Sequence, residues 1–330
     1  MARTPARNAV GGLLAVLLCG CGGAQSALAP AGPTAARLAT LFWGLTLGAL
    51  FIWLLVVALA LYAAYFPHRG KQRTRARRLI VGGGVVFPSV VLTGVLSYSL
   101  ALLPELLAPA PEGSLRVEVI GYQWWWEVRY LRAGQQPVVL ANEVRVPLGQ
   151  PVEFELESRD VIHSFWIPAL GGKMDMIPGR RTRLRLQADR AGVFRGACAE
   201  YCGTSHALMA FPVVALEPSE FAAWLRAQSA NAHTPSAPNI ERGGRLFLEN
   251  GCGACHSVRG SEAAGRVGPD LSHVGGRLSL AAGTLSNGRS ELARWLVETE
   301  RLKPGVHMPS FGMLPASDIE ALAAYLESLK

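Results

Sequence analysis

Residues 38–66 and 79–103 contain no charged side chain, and no other property of the chain restricts its folding so severely. Each run exceeds the ~20 apolar residues that a helix needs to cross the ~30 Å hydrocarbon core of a bilayer. A helix satisfies its own backbone hydrogen bonds, so two such runs predict a two-helix transmembrane hairpin. Gly82, Gly83, Gly84 and Pro88 are tolerable in a membrane helix that packs on neighbours. The loop between the runs, residues 67–78, contains HRGKQRTRARR with six Lys/Arg. A basic loop of this kind stays in the cytoplasm, so both ends of the hairpin, and the whole C-terminal part, face outward. The loop needs no role beyond anchoring at lipid headgroups.

Residues 1–20 agree with export. Arg3 and Arg7 precede an apolar run from Ala9 to Leu18 that is too short to span, which is a signal-peptide pattern. Leu18-Cys19-Gly20-Cys21 is similar to a bacterial lipoprotein cleavage site and predicts Cys21 as the lipid-bearing first residue of the mature chain. The net charge of +8 belongs to this membrane-associated part. Residues 1–103 hold nine Lys/Arg and no acid, 104–226 hold thirteen against fourteen, and 227–330 hold ten against ten. Neither polar region is basic, which excludes nucleic acid as a partner. The 330 residues leave room for two polar domains.

Residues 104–226 change character. LRVEVIGYQWWWEVRY, VVLANEVRVP, PVEFELESRD, RTRLRLQAD and GVFRGACAEY are short and β-rich, and the alternation from Val152 to Glu157 has a period of two. Such segments predict half-buried antiparallel strands in a sandwich or Greek-key barrel. At one end of this region stands Cys198-x-Glu200-x-Cys202-x-x-x-His206-x-x-Met209, with a lone His163 earlier. Two thiolates, two imidazoles and a thioether form a soft set suited to copper electron transfer. A disulfide between Cys198 and Cys202 is the plain competitor in an exported protein. Zinc is a second, but structural zinc sites favour Cys-x-x-Cys and do not recruit methionine. The added His and Met side chains favour copper.

DVIHSFWIPALGGKMDMIPGR followed by CAEYCGTSHALMAFPV resembles subunit II of haem–copper cytochrome c oxidases, over residues 35–228. The resemblance implies a cupredoxin-like domain with a binuclear CuA centre. Cys198 and Cys202 would bridge two coppers, with His163 and His206 binding one each. Met209 and the backbone carbonyl of Glu200 would be weak ligands, and the Glu200 side chain would reach a magnesium ion shared with subunit I. Trp124, in the Trp-rich Gly121–Trp126 stretch, would lie where electrons arrive, although such a strand by default is core packing. Lys173, Asp175 and Arg180 would face subunit I, whereas Arg181, Arg183 and Arg185 read equally well as a solvated strand face. The implied partners are subunit I with haem a and a haem–CuB site, subunit III, and a cytochrome c or bc1-type donor. The implied location is the bacterial inner membrane, with the polar domains periplasmic. The chain departs from the family at Arg77-Arg78-Leu79-Ile80-Val81-Gly82, which holds no acid where many members carry a glutamate at a proton-uptake pathway.

Past Trp224, AQSANAHTPSAPN reads as a linker, assigned to residues 227–239. Residues 240–330 then carry Cys252-x-x-Cys255-His256, the signature of covalent haem c attachment, and predict an all-α class I cytochrome c domain. A thiol–disulfide pair is disfavoured by the adjacent histidine. Met308 in KPGVHMPSF is the expected sixth ligand, because Met/His ligation raises the potential. Met313, His307 and His273 are the alternatives. Gly268-Pro269-Asp270-Leu271 resembles the turn whose carbonyl orients the haem histidine. PASDIEALAAYLESLK reads as a capped terminal helix.

The fold expected is therefore multidomain: a transmembrane hairpin, an all-β cupredoxin-like Greek-key barrel and an all-α cytochrome c domain. With the resemblance, this implies subunit II of a caa3-type oxidase. Its own haem would pass electrons through CuA to a partner subunit that reduces O2 and translocates protons. The electron-input subunit of a CuA-containing nitric oxide reductase remains open, since the substrate is decided in the partner. A copper-delivery module predicts a single labile copper and no haem, against Cys252-x-x-Cys255-His256. A quinol oxidase subunit would lack the copper ligands.

Overall fold

The computed structural model describes residues 22–66, 73–233 and 236–330. The expected signal segment, with Cys19 and Cys21, lies outside the described residues, as do residues 67–72 of the basic loop. Residues 37–108 form one unit; the described residues up to Ala36, together with Pro109–Lys330, form another.

In the first unit, α1 (Pro33–Tyr65) begins earlier than the apolar run because proline suits a first helical turn. The second span starts with α2 (Arg73–Val81), so part of the expected loop is helical. Arginine and alanine are good helix formers, and their charge limits the lipid-facing stretch, not the helix. A π-helical turn, Gly82–Val86, joins α2 to α3 (Phe87–Leu106). Pro88 offers no N–H and its ring crowds the carbonyl four residues back, which accounts for the widened turn just before it. Pro33–Tyr65 and Ala76–Leu106 are both long and apolar enough to cross a membrane.

The β domain has two five-stranded sheets. One runs β3 (Val138–Ala141), β2 (Trp125–Leu131), β1 (Leu115–Tyr122), β5 (Pro151–Ser158), β8 (Thr182–Gln187). The other runs β4 (Val144–Pro147), β10 (Ala210–Leu216), β9 (Gly192–Cys198), β6 (His163–Trp166), β7 (Met174–Met176). The antiparallel expectation fails at two pairings: β1 with β5, and β4 with β10, are parallel. In each case the chain crosses to the other sheet before returning, so it re-enters in the same direction.

Val152, Phe154 and Leu156 alternate into the core, as their period of two demands. The innermost layer is aromatic: Phe165 stacks on Phe211 at 4.9 Å, and Trp126 meets both edge-on at 5.8 and 5.3 Å. On the outer face Arg181 pairs with Glu118, Glu155 and Glu157. It therefore belongs to a charge network, not to a freely solvated row. After β10, α4 (Pro218–Ser229) carries Trp224 back against Tyr130, so helix occupies the start of the expected linker.

The C-terminal domain contains α5 (Pro238–Glu249), the short α6 (Cys252–Cys255), a two-stranded ladder of β11 (Ser279–Leu280) and β12 (Leu285–Ser286), α7 (Arg289–Leu302) and α8 (Ala316–Ser328). α5 crosses α8 at Gly243, where a Cβ would lie 2.0 Å from the Ala321 carbonyl oxygen. Only glycine permits that approach. The capped start expected for α8 is absent. Pro315 at the N-cap makes no side-chain cap, and Asp318 in the first turn pairs instead with Arg242 of α5.

Candidate metal centre

β6 begins at His163 and β9 ends at Cys198, so two ligand candidates sit on strand ends and not on loops. The segment from Cys198 to Met209 then closes over them. The ligand atoms of His163, Cys198 and Cys202 all lie within 4.8 Å of one another. Cys198 and Cys202 are free thiols with their sulfurs 3.8 Å apart, well beyond the length of a disulfide bond. His163 Nδ1 lies 3.8 Å from Cys198 Sγ, and His206 Nδ1 lies 3.5 Å from Cys202 Sγ. Met209 Sδ is 3.8 Å from Cys202 Sγ, and the Glu200 carbonyl oxygen is 3.2 Å from Cys198 Sγ. His163, Cys198, Cys202 and Met209 are buried. Sulfur and imidazole nitrogen converge without an oxygen cage, which fits copper and not a hard ion.

Asp160 orients the first histidine. Its Oδ1 lies 2.8 Å from His163 Nε2, leaving Nδ1 to face the sulfur. Burial pushes the Asp160 carboxyl up, but hydrogen bonds from His163 and from the Gln123 and Val161 amides outweigh it and hold it below the usual range. Burial likewise pushes His163 down, and its bonds to Asp160 and Cys198 turn the balance upward. Contact with Cys202 lowers the Cys198 thiol to about 4 despite burial, and the same contact pushes Cys202 up. One thiolate therefore forms readily, and a metal must displace the second proton.

Lys173 donates to Asp175 at 2.9 Å and lies 3.7 Å from a Glu200 carboxylate oxygen. Asp175 also accepts from Ser164 Oγ. These three partly exposed side chains lie together beside the metal loop.

The Trp-rich stretch divides three ways. Trp126 is core. Trp125 stacks on Tyr122 at 4.6 Å. Trp124 donates its indole N–H to the Cys202 carbonyl at 2.9 Å, and the Gln123 side-chain amide donates to the same oxygen at 2.7 Å. Gln123, Trp124 and Trp125 also line a cavity of about 360 Å³ that lies mostly in the C-terminal domain.

Cys252, Cys255, His256, His307 and Met308 line that cavity too, amid leucine side chains. Two free cysteines, a histidine and an apolar cleft fit a covalently attached haem. His256 Nδ1 lies 2.7 Å from the Pro269 carbonyl, which leaves Nε2 for the cavity. Burial pushes His256 down, favouring the neutral imidazole that a metal requires. Met313 is 77% exposed, and His273 turns to the Ala230 carbonyl at 3.3 Å, so neither joins the cavity. Sequence reasoning missed Asp160, Gln123 and Lys303. Asp160 and Lys303 stood inside the quoted motifs, but nothing in their spacing marked them.

A soft-ligand β domain followed by a Cys-x-x-Cys-His helical domain defines a membrane-anchored carrier with a copper centre and a haem. Residues 131–216 match the family described as Cytochrome C oxidase subunit II, periplasmic domain, and residues 240–330 match Cytochrome c. The chain is 42% identical over 225 residues to cytochrome c oxidase subunit 2 of Alkalihalophilus pseudofirmus, covering 67% of this chain and 64% of that one. It is 37% identical over 225 residues to that of Bacillus sp. strain PS3, covering 65% and 62%. With the subunit 2 of Cereibacter sphaeroides it shares 31% over 214 residues, covering 53% and 70%. The chain belongs to the cytochrome c oxidase subunit 2 family. It spans somewhat less than two thirds of the first two relatives.

Proposed function

We propose that this chain is subunit II of a caa3-type cytochrome c oxidase. It relays electrons from its own haem c, through a binuclear CuA centre, to subunit I, where O2 is reduced to water with proton translocation. Cys252 and Cys255 hold the haem by thioethers, and His256 and Met308 bind its iron. Cys198, Cys202, His163, His206, Met209 and the Glu200 carbonyl would together hold the two coppers. The Glu200 side chain contributes to a magnesium site shared with subunit I. When bound, these groups supply one-electron exchange with little change in geometry.

The protein's own contribution is rigidity and orientation. Asp160 fixes His163, the Pro269 carbonyl fixes His256, and the aromatic layer under the copper loop resists displacement. Linking donor and acceptor in one chain replaces a diffusional encounter by a tethered one. Trp124 carries the reading: it bonds the carbonyl of a copper-ligand residue while lining the haem cavity. The membrane is the bacterial inner membrane, crossed twice, with both redox domains periplasmic. Subunit III and an external cytochrome c or bc1-type complex complete the assembly.

The test is to purify the assembled complex containing the full chain and measure metals, spectra and substrate. The expectation is two coppers in this subunit per haem c, a mixed-valence copper signal and oxygen consumption. A single copper, or turnover of nitric oxide without oxygen reduction, would overturn it.

A further inference from the structure

Lys303 is only 2% exposed, a rare state for a lysine, and its fold-level role is not explained by either redox site. Its ammonium donates to two carbonyls from different domains: Leu208 in the copper-ligand loop at 2.9 Å, and Ala281 in the C-terminal domain at 2.7 Å. The seam around it is continuous. The Ala210 amide donates to the Ala282 carbonyl at 2.9 Å, Ser205 Oγ to the Pro304 carbonyl at 2.6 Å, and Thr284 Oγ1 to the Leu208 carbonyl at 3.3 Å. Gly305 has φ +80 and lies so near that a Cβ there would sit 3.0 Å from the Trp124 ring. Lys303, Val306, His307 and Met308 all line the haem cavity. One short segment therefore runs from the copper loop to the candidate haem ligand.

A buried ammonium is costly unless every arrangement that buries it also supplies acceptors. An alternative docking of the two domains would bury the Lys303 amine without acceptors, so the lysine penalises wrong orientations more than it adds affinity. We infer that Lys303 is a positioning residue that holds the cytochrome domain in one orientation over the copper loop, with Gly305 seated on Trp124 and the haem crevice closed by the copper domain. That orientation would let a bound ferrous haem give one electron to a bound copper pair without undocking. The electron-transfer part rests on the function proposed above; the docking part does not.

The experiment uses the full-length, haem- and copper-loaded chain in detergent. The Ala210 amide, which bonds across the seam, reports docking by hydrogen exchange, and flash reduction of the haem reports transfer to copper. Losing two bonds at the seam predicts that Lys303→Met raises Ala210 exchange at least about tenfold and slows transfer by a similar factor, with both optical spectra unchanged. Thr284→Val, which removes a hydroxyl shared between the Leu208 carbonyl across the seam and the nearer Ala281 carbonyl, and no charge, should shift both in the same direction by less, and it carries the test if Lys303→Met fails to load haem. Parent-like exchange at Ala210 in whichever variant loads both cofactors would overturn the inference. Raised exchange with no transfer to copper, even in the parent, would leave the docking role standing and overturn the function on which the electron step rests.

Discussion

The copper and cytochrome domains hold their sites in opposite ways. In the β domain the ligand atoms converge on one another, above an aromatic core made entirely of protein: Trp126, Phe165 and Phe211 are in mutual contact whatever the metal does. In the helical domain the candidate ligands surround a cavity bordered by Leu292, Leu296, Leu322 and Leu326, which also pack in that domain's own buried core. The first domain is a finished scaffold to which a metal is added. The second has a smaller core with a cavity at its side, which a haem would fill.

Removing the haem attachment should break this contrast most visibly. Cys252→Ser with Cys255→Ser is expected to abolish covalent haem and leave residues 240–330 open to protease, while residues 115–216 stay resistant. Limited proteolysis with mass mapping checks this; equal resistance of both domains would show that the cleft is closed without haem. Trp126→Ala attacks the other side of the comparison. It leaves a large void in a protein-only core and should cost the β domain about 3–5 kcal/mol, read by its unfolding transition, with the haem spectrum unaffected. Asp160→Asn is smaller and local. It disturbs the orientation of His163 and should weaken copper binding by roughly 10–100-fold in a chelator competition, without loss of fold.

The same residue sharpens the comparison through pH. Asp160 is held below the ordinary carboxylate range, so its contribution to stability is complete above about pH 4. It is lost as the pH falls through the lowered value. The copper-free full chain and its Asp160→Asn variant should therefore differ in stability at neutral pH and converge in strong acid. A constant offset at every pH would contradict the role given to this carboxylate.

Much of this was legible in the sequence because the chemistry was local. The apolar runs, the Cys198–Met209 loop and Cys252-x-x-Cys255-His256 each need only neighbours in the chain to be read. The parallel pairings of β1 with β5 and of β4 with β10 were not legible, since a period of two gives the face of a strand but not its partner's direction. Lys303 was invisible for a related reason. It stood in a surface-like Lys-Pro-Gly turn, and its burial arises only when a second domain covers it. Trp124 was expected where electrons arrive, but its spacing could not show that Gly305 of the same chain would pack against it.

If haem and copper exchange electrons inside one docked unit, the transfer is intramolecular. Photoinjection of an electron into the haem of the full-length loaded chain tests it most directly, with copper absorbance followed over a range of protein concentrations. Copper reduction is expected at a rate independent of concentration. A rate that rises with concentration, or a copper centre that stays oxidised while the haem is reduced, would contradict it.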